Sequence, residues 1–163
     1  MKKLIVLVIM IACASMAFAQ TNAVSLDVYP TIIGIDQSGD GWLHIWTSAS
    51  FEHAMSQNLS IGGDLDFFLS SATGYSEVGF GLIGKARYYP ASKALEGFFI
   101  GAGAGLGIVN ITDQKLELGF AVEVETGYKI MFSSLFVEPS IAYSYGRWTG
   151  FDWKPCLRIG FSF

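Results

Sequence analysis

Apolar and polar residues alternate along most of this chain with a period of two. Between Lys115 and Ile130, one face carries Leu116, Leu118, Phe120, Val122, Val124, Thr126 and Tyr128. The other carries Lys115, Glu117, Gly119, Ala121, Glu123, Glu125, Gly127 and Lys129. Successive side chains of a strand point to opposite faces, so this stretch predicts one long strand with opposite chemistry on its two sides. The same reading predicts strands near Ala23–Pro30, Trp42–Ala54, Leu59–Leu69, Glu77–Pro90, Phe98–Asn110, Lys115–Ile130, Leu135–Tyr145 and Lys154–Phe163. Between them fall tight turns at Gln57-Asn58 and Ser133-Ser134 and a longer one at Ala91–Gly97. These alternate with loops at Thr31–Gly41, Ser70–Ser76, Ile111–Gln114 and Gly146–Trp153.

Composition decides what such strands are for. The chain is 52% hydrophobic and 15% aromatic with 19 glycines. Its one continuous apolar run, Leu4 to Ala12, follows Lys2 and Lys3 and leads to Ala17-Phe18-Ala19. That is the n-region, h-region and cleavage site of a secretory signal, so residues 1–19 are read as a leader and 20–163 as one domain. A lipoprotein reading, with lipid on Cys13 after Met10-Ile11-Ala12, competes with cleavage after Ala19. An exported, apolar chain without an apolar helix has one physical solution in lipid. Every backbone polar group must be paired internally, which strands achieve only by closing. The expected fold is therefore all-β: a closed, antiparallel, eight-stranded up-and-down transmembrane β-barrel. Its short turns and both termini would lie in the periplasm and its longer loops outside.

Aromatic positions fit two interfacial girdles. Tyr88, Tyr89, Phe98, Phe99 and Tyr128 fall at the inner strand ends, and Tyr29, Trp42, Trp46, Tyr143, Tyr145 and Trp148 at the outer ends. The last seven residues continue the pattern: Leu157, Ile159, Phe161 and Phe163 share one face, Arg158, Gly160 and Ser162 the other. This ending resembles the C-terminal assembly signal of bacterial outer-membrane barrels, in which an aromatic-x-aromatic sequence closes on Phe. With the leader and the strand count, the whole chain resembles the small eight-stranded barrels of the OmpA/OmpX-like superfamily. The resemblance implies residence in the cell outer membrane, contact with its lipid and lipopolysaccharide, and handling by the barrel-insertion machinery during assembly.

Without Lys2 and Lys3 the ten basic residues become eight against fourteen acidic ones, which leaves no basic patch for nucleic acid. Asp27, Asp64, Lys85, Arg87, Glu123, Glu125, Glu138 and Arg158 all fall on the inward face near mid-height. An eight-stranded barrel has an interior that side chains just fill, so these residues are expected to form a structural network of paired charges. Gly101, Gly103, Gly105 and Gly107 leave one inward face bare and make room for them.

Other motifs carry less. Gly79 to Gly84 spells G-x-G-x-x-G, but a strand ending at Pro90 follows where a nucleotide fold needs a helix. Asp36 to Gly41 begins like a calcium loop, yet Thr47 stands where the bidentate Glu belongs. His44 and His53, the only histidines, fall at opposite rims, so no Ser-His-acid set assembles. Cys156, alone once the leader is removed, is read as inert. No catalytic, cofactor or metal site is expected. The predicted role is structural or surface-binding, adhesin-like, through the outer loops, with a monomeric barrel meeting a surface ligand of unknown identity. A small pore and a lipid-modifying enzyme are the alternatives.

Overall fold

The computed structural model describes residues 21–28, 31–35, 41–72, 74–91, 93–111, 116–146 and 150–163. The leader and Cys13, the aromatic positions Tyr29 and Trp148, and the calcium-like run from Asp36 to Asp40 lie outside these residues. Nine strand segments follow in chain order: β1 Asn22–Asp27, β2 Thr31–Ile35, β3 Gly41–Ala54, β4 Leu59–Ala72 and β5 Tyr75–Tyr88. They continue with β6 Gly97–Ile111, β7 Glu117–Phe132, β8 Leu135–Gly146 and β9 Gly150–Ser162. Each pairs antiparallel with its neighbours, and β1 pairs with both β9 and β3, which closes the sheet.

Two segments make one stave. β1 lies along one half of β3, with Leu26 opposite Ala49, and β2 along the other, with Thr31 opposite Ile45. The sequence between them holds Pro30, which has no N–H to give to a ladder. Around the break the Thr47 hydroxyl donates to the Asp27 carbonyl at 2.9 Å and the Val28 N–H to the Leu157 carbonyl at 2.9 Å. The barrel thus has eight staves, all up-and-down.

Strand positions agree with the alternation to within a few residues, but the strands run further at one end than expected. β2 occupies half of the expected loop Thr31–Gly41, β4 extends to Ala72, β5 starts at Tyr75 and β9 starts at Gly150. Ladder hydrogen bonds hold Ser70 and Ser71 opposite Glu77 and Ser76, although hydroxyl-bearing residues read locally as loop formers. The connections at that end shrink to residues 36–40, 73–74, 112–116 and 147–149. At the other end, which we call the turn end, residues 55–58, 89–96 and 133–134 connect the strands.

The barrel is apolar outside and charged inside. Leu118 is 66% exposed and Leu82 64%, whereas Glu138 is fully buried. No helix among the described residues is long and apolar enough to cross a membrane, which says nothing about strands. On β7 alone the outward face runs from Leu118 through Phe120, Val122, Val124 and Thr126 to Tyr128, ten residue steps. At about 3.3 Å per step and a tilt near 40°, that spans about 25 Å, the height of a lipid-facing band.

Candidate functional site in the barrel interior

Inward positions on six of the strands converge on one layer of charge. β3 supplies Glu52, β4 Asp64 and Asp66, β5 Lys85 and Arg87, β7 Glu123, Glu125 and Lys129, β8 Glu138, and β9 Lys154 and Arg158. Arg87 sits at the centre. It reaches Glu125 at 2.5 Å, Glu52 at 2.9 Å and Glu138 at 3.2 Å. Glu52 also accepts from Lys129 at 2.5 Å, from the Tyr89 hydroxyl at 2.6 Å and from the Ser60 hydroxyl. Arg158 bridges Asp64 at 2.9 Å and Glu138 at 3.0 Å, while Lys85 binds Asp64 at 2.6 Å and Glu123 at 2.5 Å. Charges taken from water need such multiple, charge-assisted partners to be tolerated at all.

The layer loosens away from the turn end. Lys154 stands 3.1 Å from Glu123 and 3.7 Å from Asp66, and the carboxylate oxygens facing it make no hydrogen bond of good geometry. Instead the Lys154 ammonium lies 4.1 Å above the Trp46 ring. Arg87 and Lys129 are capped similarly on the turn side, each 4.5 Å from the ring of Phe99 or Phe136.

Apolar side chains close both faces of the layer. Phe68, Ile83, Val109 and Ala121, with Trp46 against them, fill the interior on the loop side. Ala23, Leu95 and Phe136, with Ala54 and Met131, fill the turn side. Leu95 is buried although its φ is +72°, a conformation that costs a branched residue energy and persists only where packing demands it.

The bare face of β6 is the counterpart of these long side chains. A Cβ on Gly101 would stand 3.0 Å from Glu125 and 3.1 Å from Arg87; one on Gly103 would stand 2.9 Å from Lys85. Gly79, in the nucleotide-like motif, lies within β5 and gives its space to the Phe68 ring.

All eight inward residues expected from sequence are buried, and seven belong to this network. Asp27 lies beside it, accepting the Leu157 N–H at 3.2 Å. Sequence counting missed Glu52, Asp66, Lys129 and Lys154. The last three share their strand's inward parity with Asp64, Glu125 and Arg158, so following parity along whole strands, beyond a window near mid-height, finds them. Glu52 stands on β3, where the sequence offers no other charged residue of the same parity to mark the inward face. Three aromatics expected in the girdles face inward instead: Tyr89 and Phe99 are fully buried and Trp46 packs on the interior cluster. In the doublets Tyr88-Tyr89 and Phe98-Phe99 strict alternation allows only one ring outward. Tyr88, Phe98 and Tyr128 take the outward places.

His53 sits at the turn end, its Nδ1 2.9 Å from the Asn22 side-chain oxygen, and backbone register places His44 opposite Ser70 near the other end. Among the described residues no group of three or more His, Cys, Asp or Glu side chains is arranged to hold a metal. The Cys156 thiol lies 3.6 Å from the Lys154 carbonyl.

No protein family and no curated protein matches the sequence. Among solved structures the chain is similar to the N-terminal β-barrel domain of Pseudomonas aeruginosa OprF. The identity is 19%, over 88% of this chain and 98% of that domain, with a TM-score of 0.50. At that identity the likeness concerns the fold alone: a closed, antiparallel, eight-stranded β-barrel.

Proposed function

We propose that the chain is an integral protein of the bacterial outer membrane whose barrel is a closed structural wall element and performs no catalysis. One observation carries this reading: the interior is filled by a charge layer between two apolar clusters. Water and ions need a continuous polar path, and side chains that fill a narrow barrel leave none. The turn end, where the strand beginning at Asn22 and the one ending at Ser162 meet, is assigned to the periplasm.

Surface binding falls to the short connections at the outer end and to the rings beside them. Trp153 is 64% exposed and packs at a tilt against Tyr143 with centroids 4.7 Å apart, and Tyr145 lies two residues along the same face of β8, a set suited to the boundary where lipopolysaccharide head groups meet acyl chains. The outward face of Leu157, Ile159, Phe161 and Phe163 is the assembly signal read by the insertion machinery. The test is electrical. The refolded barrel in planar bilayers should pass no steady current at physiological salt, and stable unitary conductance would replace the wall-element reading with the pore.

A further inference from the structure

Beside the charge layer, between β3, β4 and β5, lies a small hollow. Ser50, Glu52, Ser60, Gly62, Asp64, Lys85 and Arg87 are among the residues that line it. Its cause is local. Gly62 pairs with Glu52 on one side and Lys85 on the other, on the inward face, and contributes no side chain. Nor can it acquire one cheaply, because a Cβ there would stand 2.1 Å from the Phe51 carbonyl oxygen. Backbone approach therefore fixes an opening beside the long side chains of Lys85 and Arg87.

The hollow offers about 10 Å³ to the centre of a water molecule, about what one water requires. The Ser50 hydroxyl lines it, is shielded from solvent and has no hydrogen-bond partner in the protein. Ser50 is also the ladder partner of Asp64, whose carboxylate holds Lys85 at 2.6 Å and Arg158 at 2.9 Å. A buried hydroxyl without a partner is destabilising, and a polar pocket with several charged walls is where a bridging water removes that cost.

We propose that this hollow is a binding site for a single structural water, anchored on the Ser50 hydroxyl and donating to a lining carboxylate. The water belongs to the charge layer: it ties β3 to the Asp64–Lys85 pair where Gly62 provides no side chain. Two walls rich in charge of both signs favour a neutral dipole over an ion of either sign.

A crystal structure of the full barrel at a resolution that shows ordered waters tests this directly. The expected result is one density peak within hydrogen-bond distance of Ser50 Oγ and of Glu52 or Asp64, and its loss in Ser50→Ala. An empty hollow, a Ser50 hydroxyl bonded directly to a carboxylate, a peak coordinated as a cation, or a peak that persists unchanged in Ser50→Ala would each overturn the assignment. The unaltered chain decides the first three outcomes, so the proposal stays testable if the variant does not fold.

Discussion

Replacing Arg87 with methionine should cost the folded barrel about 3 kcal/mol. Arg87 is 5% exposed and touches three carboxylates, at 2.5, 2.9 and 3.2 Å. Removing one partner of a buried ion pair costs roughly 3–5 kcal/mol, because the charge left behind is uncompensated. Three orphaned carboxylates would multiply that figure if Arg87 were their sole cation, but each keeps another. Glu52 retains Lys129 at 2.5 Å, Glu138 retains Arg158 at 3.0 Å, and Glu125 retains Lys85 at 3.2 Å. The loss therefore belongs at the low end of the range, about two decades in the folding equilibrium at 1.4 kcal/mol per decade. Lys154→Met is the internal control. Its ion pairs are longer, at 3.1 and 3.7 Å, its side chain is 12% exposed, and methionine keeps contact with Trp46. A smaller cost than for Arg87→Met is expected there, because Glu123 keeps Lys85 at 2.5 Å and only the longer Asp66 contact is lost outright. Urea unfolding in lipid vesicles, followed by gel mobility of unheated samples, measures both. Equal losses for the two variants would refute the view that Arg87 is the hub of the layer. So would a neutral Arg87→Met.

Four further outcomes follow from the same geometry. Gly101→Val, whose new atoms would press on Glu125 and Arg87, should destabilise the barrel by about 1–3 kcal/mol in the same unfolding assay. Leu82→Arg, on the outer wall at a position 64% exposed, should cost about 2–4 kcal/mol at mid-membrane; a neutral result would show that β5 does not cross there. Phospholipids brominated near the head group should quench a chain whose only tryptophan is Trp153, with Trp42, Trp46 and Trp148 replaced by Phe, and leave one whose only tryptophan is Trp46 unquenched, since Trp46 packs inside. Phe163→Ser should slow assembly in cells, read as accumulation of unassembled chain, while refolding into detergent proceeds at the parental rate; equal slowing of both would remove the assembly-signal reading.

Parity and proximity were legible to different degrees in the sequence, for a physical reason. A strand has a side-chain period of two, so the inward set on β7, Glu123, Glu125 and Lys129, follows from alternation alone once one face is known to be apolar. Aromatic doublets and hydroxyl-rich ends obscure the pattern locally, which is why Tyr89 and Phe99 were expected outside and Ser70 and Ser71 in a loop. Partner choice depends on something no single strand encodes. Along the hydrogen-bonded direction Lys85 leads through Gly103, Glu123 and Ser144 to Asp152. The cation of β9 that meets Asp64 and Glu125 is Arg158, six residues further along that strand. Closing a sheet into a barrel requires this stagger, and its size is a property of all eight staves together. Long side chains then select partners across the lumen: Arg87 of β5 meets Glu125 along its own ladder row through Gly101, but also reaches Glu52 and Glu138, which lie on other rows. The bare face of β6 is the point where the two kinds of information meet. Its glycines are visible in the sequence as a period of two, but only the pairing register with β5 and β7 sets Lys85, Arg87 and Glu125 beside the space they leave.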